Sequence, residues 1–170
     1  MKNILLTGKP GIGKTTAIRR IVEGLKTNSV GGFWSTEIRE NRRRVGFAIE
    51  TLSGKTGILA HVNIEHGPRV SKYRVNVQAI NSIAVPELMI TRETGKIIII
   101  DEIATMELFS QPFLDEVYKC LDTRCVVGTI QDRSSLLIDG IKSRNDVEVL
   151  ELTQGNRETI ATYVLDLLRQ

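Results

Sequence analysis

The start of the chain combines glycines, a lysine and threonines at a spacing that suits phosphate binding. The stretch fits the pattern G-x-x-x-x-G-K-[ST] and reads Gly8-Lys9-Pro10-Gly11-Ile12-Gly13-Lys14-Thr15. Glycines let backbone N–H groups surround a phosphate group, and a helix that follows them directs the positive end of its dipole there. We therefore predict that this loop holds the phosphates of a nucleoside triphosphate.

Three side chains after the last glycine have expected roles. Lys14 would reach the β- and γ-phosphates, Thr15 would ligate Mg²⁺ through its hydroxyl, and Thr16 would touch the α-phosphate. A chance match in a glycine-rich turn is the alternative. It is disfavoured because residues 3–7 have the pattern of a buried strand and residues 14–27 that of a helix.

A second half of the site is predicted where a run of four isoleucines ends in two acids. Residues 97–100 indicate a strand covered on both faces. Asp101 at its carboxyl end would join Thr15 in the Mg²⁺ shell, and Glu102 would activate the attacking water as the catalytic carboxylate. A polar strand end that only faces water is the disfavoured alternative. We include in the predicted nucleotide site, with these two acids, the strand residues Ile98, Ile99 and Ile100.

Four further candidates rest on weaker patterns. Thr129 ends a predicted strand and could sense the γ-phosphate or be a plain strand end. Glu107 could organise the water or metal, or face solvent. Among the arginines of residues 42–44 we expect one, Arg44, to act as an arginine finger and the others to be solvated. Asn156 could help to recognise the base or only cap a helix.

The remaining patterns predict one α/β domain over residues 1–170. Outside a β-rich insert of hairpins at 31–77, strands alternate with helices, which favours a mostly parallel sheet flanked by helices, as in a P-loop NTPase. Predicted strands cover 124–129 and 147–152. Predicted helices are 79–93, which Pro86 could kink or restart, 111–122 capped by Ser110, 134–142, and 157–169 capped by Asn156.

Composition excludes few classes of protein. The chain is 41% hydrophobic and 25% charged, with a net charge of +3, too little to argue for nucleic-acid or membrane binding. Its two cysteines, Cys120 and Cys125, favour reduced thiols in a cytoplasmic protein. With only His61 and His66 to join them, a site for a transition metal is disfavoured. No apolar stretch approaches the length of a membrane helix.

The chain resembles the small nucleoside-triphosphatases first described from thermophiles, which include the human cancer-related nucleoside-triphosphatase. The resemblance is carried by residues 7–16, 32–40, 44–47, 72–77, 101–110, 128–130 and 156–157. It implies slow, Mg²⁺-dependent hydrolysis of ATP, GTP, CTP and UTP with little base preference, and a RecA-like fold with a β-hairpin insert. The family usually has glycine and often lysine after Asp-Glu-Ile, where this chain has Ala104 and Thr105. It also more often has glycine after the tyrosine where this chain has Arg74 after Tyr73.

Two other functions remain open from the sequence. A small nucleotide or nucleoside kinase shares the phosphate loop and needs an acceptor pocket, and the arginines of residues 39–44 could belong to its lid. A regulatory switch would use bound nucleotide to control a protein partner, which Phe33 and Trp34 could contact. Packing inside the protein is the favoured role for those two aromatic residues. The sequence gives neither the physiological nucleotide nor the partner.

Overall fold

The computed structural model describes residues 2–169, and within them nine strands form one sheet. The order across the sheet is β5-β6-β4-β3-β2-β7-β8-β1-β9. The strands are β1 Asn3–Thr7, β2 Val30–Glu40, β3 Arg43–Thr51, β4 Thr56–His61, β5 Arg69–Val70, β6 Tyr73–Val75, β7 Ile97–Ile103, β8 Val126–Ile130 and β9 Val147–Glu151.

Five adjacent strands, β2, β7, β8, β1 and β9, run parallel to one another. Helices cover both faces of this part of the sheet, so its strands need apolar side chains in both directions. The isoleucines of β7 meet that need, since Ile98, Ile99 and Ile100 are all 0% exposed. Ile98 and Ile100 belong to one core and Ile99 to the core on the opposite face. The carboxyl ends of these strands lie at one edge, where the predicted site should form.

Residues 30–75 extend this sheet instead of forming a separate layer beside it. The strand β2 pairs in parallel with β7 and antiparallel with β3, and β4, β6 and β5 continue the antiparallel pairing outward. Trp34 pairs with Asp101, and β2 then runs on to Glu40 beside β3. The long pair β2–β3 therefore rises past the carboxyl edge of the parallel strands and walls one side of that edge.

The helices flanking the sheet are α1 Lys14–Glu23, α3 Val85–Glu93, α4 Gln111–Asp122, α5 Leu136–Lys142 and α6 Ile160–Arg169. A short helical turn, α2 Val77–Ala79, leads through the π-helical turn Ile80–Ala84 into α3. Pro86 lies in the first turn of α3, directly after the π-helical turn. In α4 the hydroxyl of Ser110 accepts a hydrogen bond from the Phe113 amide, as the sequence predicts.

Some predicted boundaries were wrong. The first helix ends at Glu23, before Gly24, and not at residue 27, because residues 27–29 form a separate 3₁₀ turn. The last helix begins at Ile160 and not at residue 157. The strand β7 continues through both acids to Ile103. No helix within residues 2–169 is long and apolar enough to cross a membrane.

Candidate functional site

The phosphate loop joins β1 to α1 and has a backbone that only glycine adopts readily. Gly8, Gly11 and Gly13 have φ angles of +148°, +78° and +111°. At Gly8 space is also limiting, because a Cβ atom would lie 2.7 Å from the carbonyl oxygen of Leu152. The loop therefore passes close to the residue that follows β9, and its shape depends on these glycines.

The first amides of α1 are available to an anion. Ala17 N–H is the first to bond within the helix, donating to the carbonyl of Gly13 at 2.9 Å. Across residues 2–169 no backbone acceptor is found for the amides of residues 14–16. Together with the positive end of the helix dipole, these N–H groups form the anion site that the sequence predicts.

The Lys14 ammonium group lies between the loop and the acids of β7. Its Nζ donates to the carbonyl of Gly8 at 2.9 Å and is 3.9 Å from Glu102 Oε1. The side chain is 12% exposed, so its charge is only partly screened by water. Lys14 is thus positioned to contact a phosphate held by the amides of α1.

Asp101, at the end of the isoleucine run of β7, is only 2% exposed. Its Oδ1 accepts a hydrogen bond of 2.6 Å from Thr129 Oγ1, whereas Oδ2 is buried and finds no partner among the described residues. Burial raises the pKa of Asp101, opposed first by the hydrogen bond from Thr129 and then by the nearby Thr15 hydroxyl. A buried carboxylate oxygen without a donor is suited to bind a cation, and Thr15 adds a hydroxyl oxygen beside it.

Two glutamates follow Asp101 in the cleft. The side chain of Glu102 is 31% exposed, and burial raises its pKa, opposed by the charge of Lys14. Glu107 is 4% exposed, and its Oε2 has no partner in the part of the chain that the structure describes. Burial, followed by the charge of Glu102, places the pKa of Glu107 well above its usual value. Glu107 therefore faces the cleft and not solvent.

These groups line one cleft of about 770 Å³. Of the residues predicted from the sequence, those on its surface are Pro10, Gly11, Gly13, Lys14, Thr15, Thr16, Arg44, Asp101, Glu102 and Glu107. The two halves of the predicted site therefore meet. Ile98, Ile99 and Ile100 are not on that surface, because their side chains are fully buried in the sheet and contribute by positioning Asp101.

Arg44 stands on the wall of the cleft opposite the phosphate loop. Its Nε donates to the Tyr73 hydroxyl at 2.9 Å and its Nη1 donates to Glu37 Oε1 at 3.0 Å. The guanidinium group also lies 5.1 Å from the centre of the Phe47 ring. These bonds raise the pKa of Arg44, first through Tyr73 and then through Glu37. Arg44 is thus held in place by partners within the wall.

Asn156 lies outside the cleft. Its Oδ1 accepts from the Thr153 amide at 2.8 Å, and its Nδ2 donates to the Glu151 carbonyl at 2.9 Å. The side chain closes the turn after β9 and does not cap the first turn of α6, because that helix begins at Ile160. This turn adjoins the phosphate loop through the contact of Leu152 with Gly8.

Several residues of the cleft, and Trp34 beside it, were missed by the sequence reasoning. Trp34 Nε1 donates to Glu50 Oε2 at 3.0 Å, and the Arg19 guanidinium lies 4.8 Å from the Trp34 ring centre. Thr105 donates through its amide and its hydroxyl to Gln131 Oε1, both at 2.9 Å, which ties the loop after β7 to the end of β8. Knowledge that β2 pairs with β7 would have placed Trp34 beside Asp101. The sequence of one strand alone does not reveal that pairing.

Comparisons with known proteins agree with this geometry. A model of the protein family described as NTPase matches residues 3–165. The chain belongs to this NTPase family. It is 40% identical over 167 residues to the nucleoside-triphosphatase THEP1 of Thermotoga maritima, covering 98% of this chain and 95% of that protein. It is 37% identical over 172 residues to the human cancer-related nucleoside-triphosphatase, covering 92% and 90%.

Two solved structures of the family share the fold. The crystal structure of THEP1 from Aquifex aeolicus matches with a TM-score of 0.91 and 38% identity, over 100% of both chains. The solution structure of the human cancer-related nucleoside triphosphatase matches with a TM-score of 0.84 and 34% identity, over 99% of this chain and 98% of that one. The nine-stranded α/β architecture is therefore that of the family.

Proposed function

We propose that this protein hydrolyses nucleoside triphosphates to diphosphates and phosphate with the help of Mg²⁺. One observation carries the proposal. The buried Oδ2 of Asp101, the ammonium group of Lys14 and the carboxylate of Glu102 converge beside the phosphate loop in one cleft. The relatives are named nucleoside-triphosphatases, which supports the same reaction.

The residues present fit Mg²⁺. This cation prefers oxygen ligands and keeps water and phosphate oxygens in its shell, so one carboxylate and one hydroxyl from the protein suffice. Asp101 and Thr15 would hold it, since Asp101 Oδ2 is buried without a donor among the described residues. When bound, Mg²⁺ would neutralise charge on the β- and γ-phosphates.

The residues of the chain would then have separate roles in the reaction. The amides of residues 14–16 and the Lys14 ammonium group bind the phosphates and stabilise negative charge on them. Glu102 accepts a proton from the water that attacks the γ-phosphorus. Its proximity to Lys14, at 3.9 Å, keeps this carboxylate available as a base although burial raises its pKa. Arg44 would add charge stabilisation by exchanging Glu37 for a phosphate oxygen.

Finer features of the activity are part of the same proposal. We propose broad base specificity, so that ATP, GTP, CTP and UTP all serve, with Asn156 in the turn nearest the base. We also propose slow turnover. We also propose that the parallel strands form a RecA-like core with a hairpin insert. The protein would act in the cytoplasm and would not bind nucleic acid.

Phosphate release tests the proposal directly. Purified protein would be incubated separately with ATP, GTP, CTP and UTP, with Mg²⁺ or with EDTA. We expect phosphate from all four with Mg²⁺ and none with EDTA. Absence of phosphate from every nucleotide would refute hydrolysis, and release from a single one would refute broad base specificity.

A further inference from the structure

A second cavity lies at the edge of the sheet opposite the phosphate loop, and we call it the basic pocket. It measures about 420 Å³, and its lining residues are Lys2, Arg124, Arg144, Asn145 and Asp146. These residues lie just before the adjacent parallel strands β1, β8 and β9. The basic pocket is therefore built at the amino ends of these strands, whereas the nucleotide cleft is built at their carboxyl ends.

A buried side chain ties the loops of the basic pocket together. Asn3 is 0% exposed. Its Nδ2 donates to the carbonyls of Leu121 at 2.8 Å and Asp146 at 3.1 Å, and its Oδ1 accepts from the Val126 amide at 3.0 Å. The end of α4 and the starts of β8 and β9 are thus fixed relative to β1. The pocket is therefore preorganised, which lowers the cost of binding a ligand.

One of the three cations that line the pocket is neutralised within the protein. Arg144 donates through Nε to Asp146 Oδ1 and through Nη2 to Asp146 Oδ2, both at 2.8 Å. Its Nη2 also donates to Asp122 Oδ1 at 2.7 Å, although the Asp122 side chain is 68% exposed and does not line the pocket. The bonds between Arg144 and Asp146 raise the pKa of the arginine and lower that of the aspartate. Both oxygens of Asp146 are engaged, which weakens its repulsion of an incoming anion.

The other two cations lack a counter-ion. Within residues 2–169 neither Lys2 nor Arg124 forms an ion pair, and neither side chain donates a hydrogen bond, because Arg144 engages the nearby acids. Both side chains line one cavity, where like charges repel each other. An anion bound between them would replace this repulsion with two attractions. The charges of the basic pocket therefore indicate an anionic ligand.

The backbone at Arg124 supports a role for its side chain. Its φ angle is +58°, and it directly follows the C-cap of α4, where glycine or asparagine is usual. The left-handed conformation is unfavourable for a residue that has a Cβ atom. The guanidinium group forms no hydrogen bond within the described residues that would compensate. A ligand in the basic pocket accounts for an arginine at this position.

We propose that the basic pocket binds a phosphate dianion, either free or carried by a small organic molecule. Lys2 and Arg124 match its two charges, and the guanidinium group can donate two parallel hydrogen bonds to its oxygens. The volume of about 420 Å³ lies in the range for small organic ligands. This inference does not depend on the proposed hydrolysis, because the pocket shares no lining residue with the nucleotide cleft.

A titration followed by NMR at single residues tests the proposal. Inorganic phosphate, phenyl phosphate and benzoate would be added separately to ¹⁵N-labelled protein, and the amides of residues 124, 145 and 146 would report binding. The amides of residues 11–16 report separately any phosphate held by the phosphate loop. We expect saturable shifts at residues 124, 145 and 146 with the phosphates, and binding at least about tenfold weaker for the singly charged benzoate.

The two phosphate probes distinguish the source of the ligand. Tighter binding of phenyl phosphate than of inorganic phosphate would identify a phosphate monoester as the ligand. Equal or weaker binding of phenyl phosphate would identify the free ion. Either result supports a phosphate site in the basic pocket.

Two arginines with positive φ angles provide a matched pair of variants. Arg124→Gly removes the guanidinium group of the pocket, whereas Arg42→Gly changes an exposed arginine with a φ angle of +64° that does not line it. Each change removes one charge where glycine suits the backbone, so both variants should fold. The dissociation constant of the tighter phosphate probe should rise at least about tenfold in Arg124→Gly and be unchanged in Arg42→Gly. Lys2→Gln, at a second exposed position of the pocket, should also raise it.

Three results would overturn the proposal. The first is the absence of shifts at residues 124, 145 and 146, whether or not the phosphate loop responds. The second is an equal dissociation constant for the two glycine variants. The third is benzoate binding as tight as that of phenyl phosphate, because the site would then not select two negative charges. None of these results bears on hydrolysis, which the release of phosphate from nucleotides tests separately.

Discussion

Thr129 Oγ1 donates a hydrogen bond of 2.6 Å to Asp101 Oδ1 from the neighbouring parallel strand. Both residues are buried, at 0% and 2% exposure. The bond fixes the carboxylate and leaves Oδ2 as the oxygen without a partner among the described residues. We therefore expect Thr129 to act on the proposed cation through Asp101.

Replacing Thr129 with valine should weaken Mg²⁺ binding. The change keeps the shape of the side chain but removes the donor that orients Asp101 and lowers its pKa. The Mg²⁺ concentration for half-maximal hydrolysis should rise about 10–100-fold. Thr162→Val, at an exposed position of α6, is the control. An unchanged Mg²⁺ requirement in Thr129→Val would contradict this role.

Glu107 should make stability depend on pH. Its pKa is raised well above the usual value by burial and by Glu102, so the folded state holds this proton more tightly than the unfolded state. The stability that this carboxyl group contributes is fully present below its pKa in the unfolded chain, about 4.3. It is lost as the pH rises through its raised pKa in the folded protein. Glu107→Gln stays neutral throughout.

Thermal unfolding at a series of pH values measures this effect. The melting temperature of Glu107→Gln minus that of the parent should increase as pH rises above about 4.3. Asp101 and Glu102 also have raised pKa values, but they are present in both proteins and largely cancel. A difference that stays constant with pH would mean that Glu107 titrates normally.

Lys14→Ala should impair hydrolysis and nucleotide binding together. The variant removes the ammonium group that lies 2.9 Å from the Gly8 carbonyl and faces the phosphate position. We expect kcat/KM to fall about 10²–10³-fold, as for loss of one group that stabilises charge in the transition state. Lys26→Ala changes an exposed lysine away from the cleft and serves as the control. Equal kcat/KM for the two variants would contradict the assignment.

The sequence predicted the two halves of the site because each lies in a local pattern. Gly8 to Thr15 and Ile97 to Glu102 are continuous stretches whose spacing reflects a loop before a helix and a buried strand end. Their meeting in one cleft follows from parallel strands sharing a carboxyl edge. Both halves are therefore recognisable without knowledge of long-range pairings.

Other features depend on pairings that a single sequence does not encode locally. The pairing of Trp34 with Asp101 brings β2 beside β7 and creates the cleft wall, and nothing in the run at 33–38 specifies that partner. Asn156 was predicted as a possible helix cap, but its side chain bonds to Thr153 and Glu151 in a turn. A turn of this kind resembles a helix cap in sequence. Both outcomes were decided by tertiary context.

Two glycine-to-alanine changes should have opposite effects on stability. At Gly128 in β8, a Cβ atom would collide with the backbone carbonyl of Ile100, so Gly128→Ala must displace the strand next to Asp101. We expect a loss of about 1–3 kcal/mol in the free energy of unfolding. Gly140 is exposed in α5 and has room, so Gly140→Ala should gain about 0.4–1 kcal/mol. Urea unfolding checks both, and a stable Gly128→Ala would contradict the close approach of the strands.

The central claim is that Glu102 is the base for hydrolysis, and Glu102→Gln tests it most directly. The variant keeps the size of the side chain but cannot accept the proton from water. Glu65→Gln, at an exposed position, is the matched control. The measurement pairs steady-state phosphate release with the dissociation constant for ATP and Mg²⁺. We predict that kcat falls about 10²–10⁴-fold in Glu102→Gln while ATP still binds. Hydrolysis at the rate of the parent protein would contradict the account.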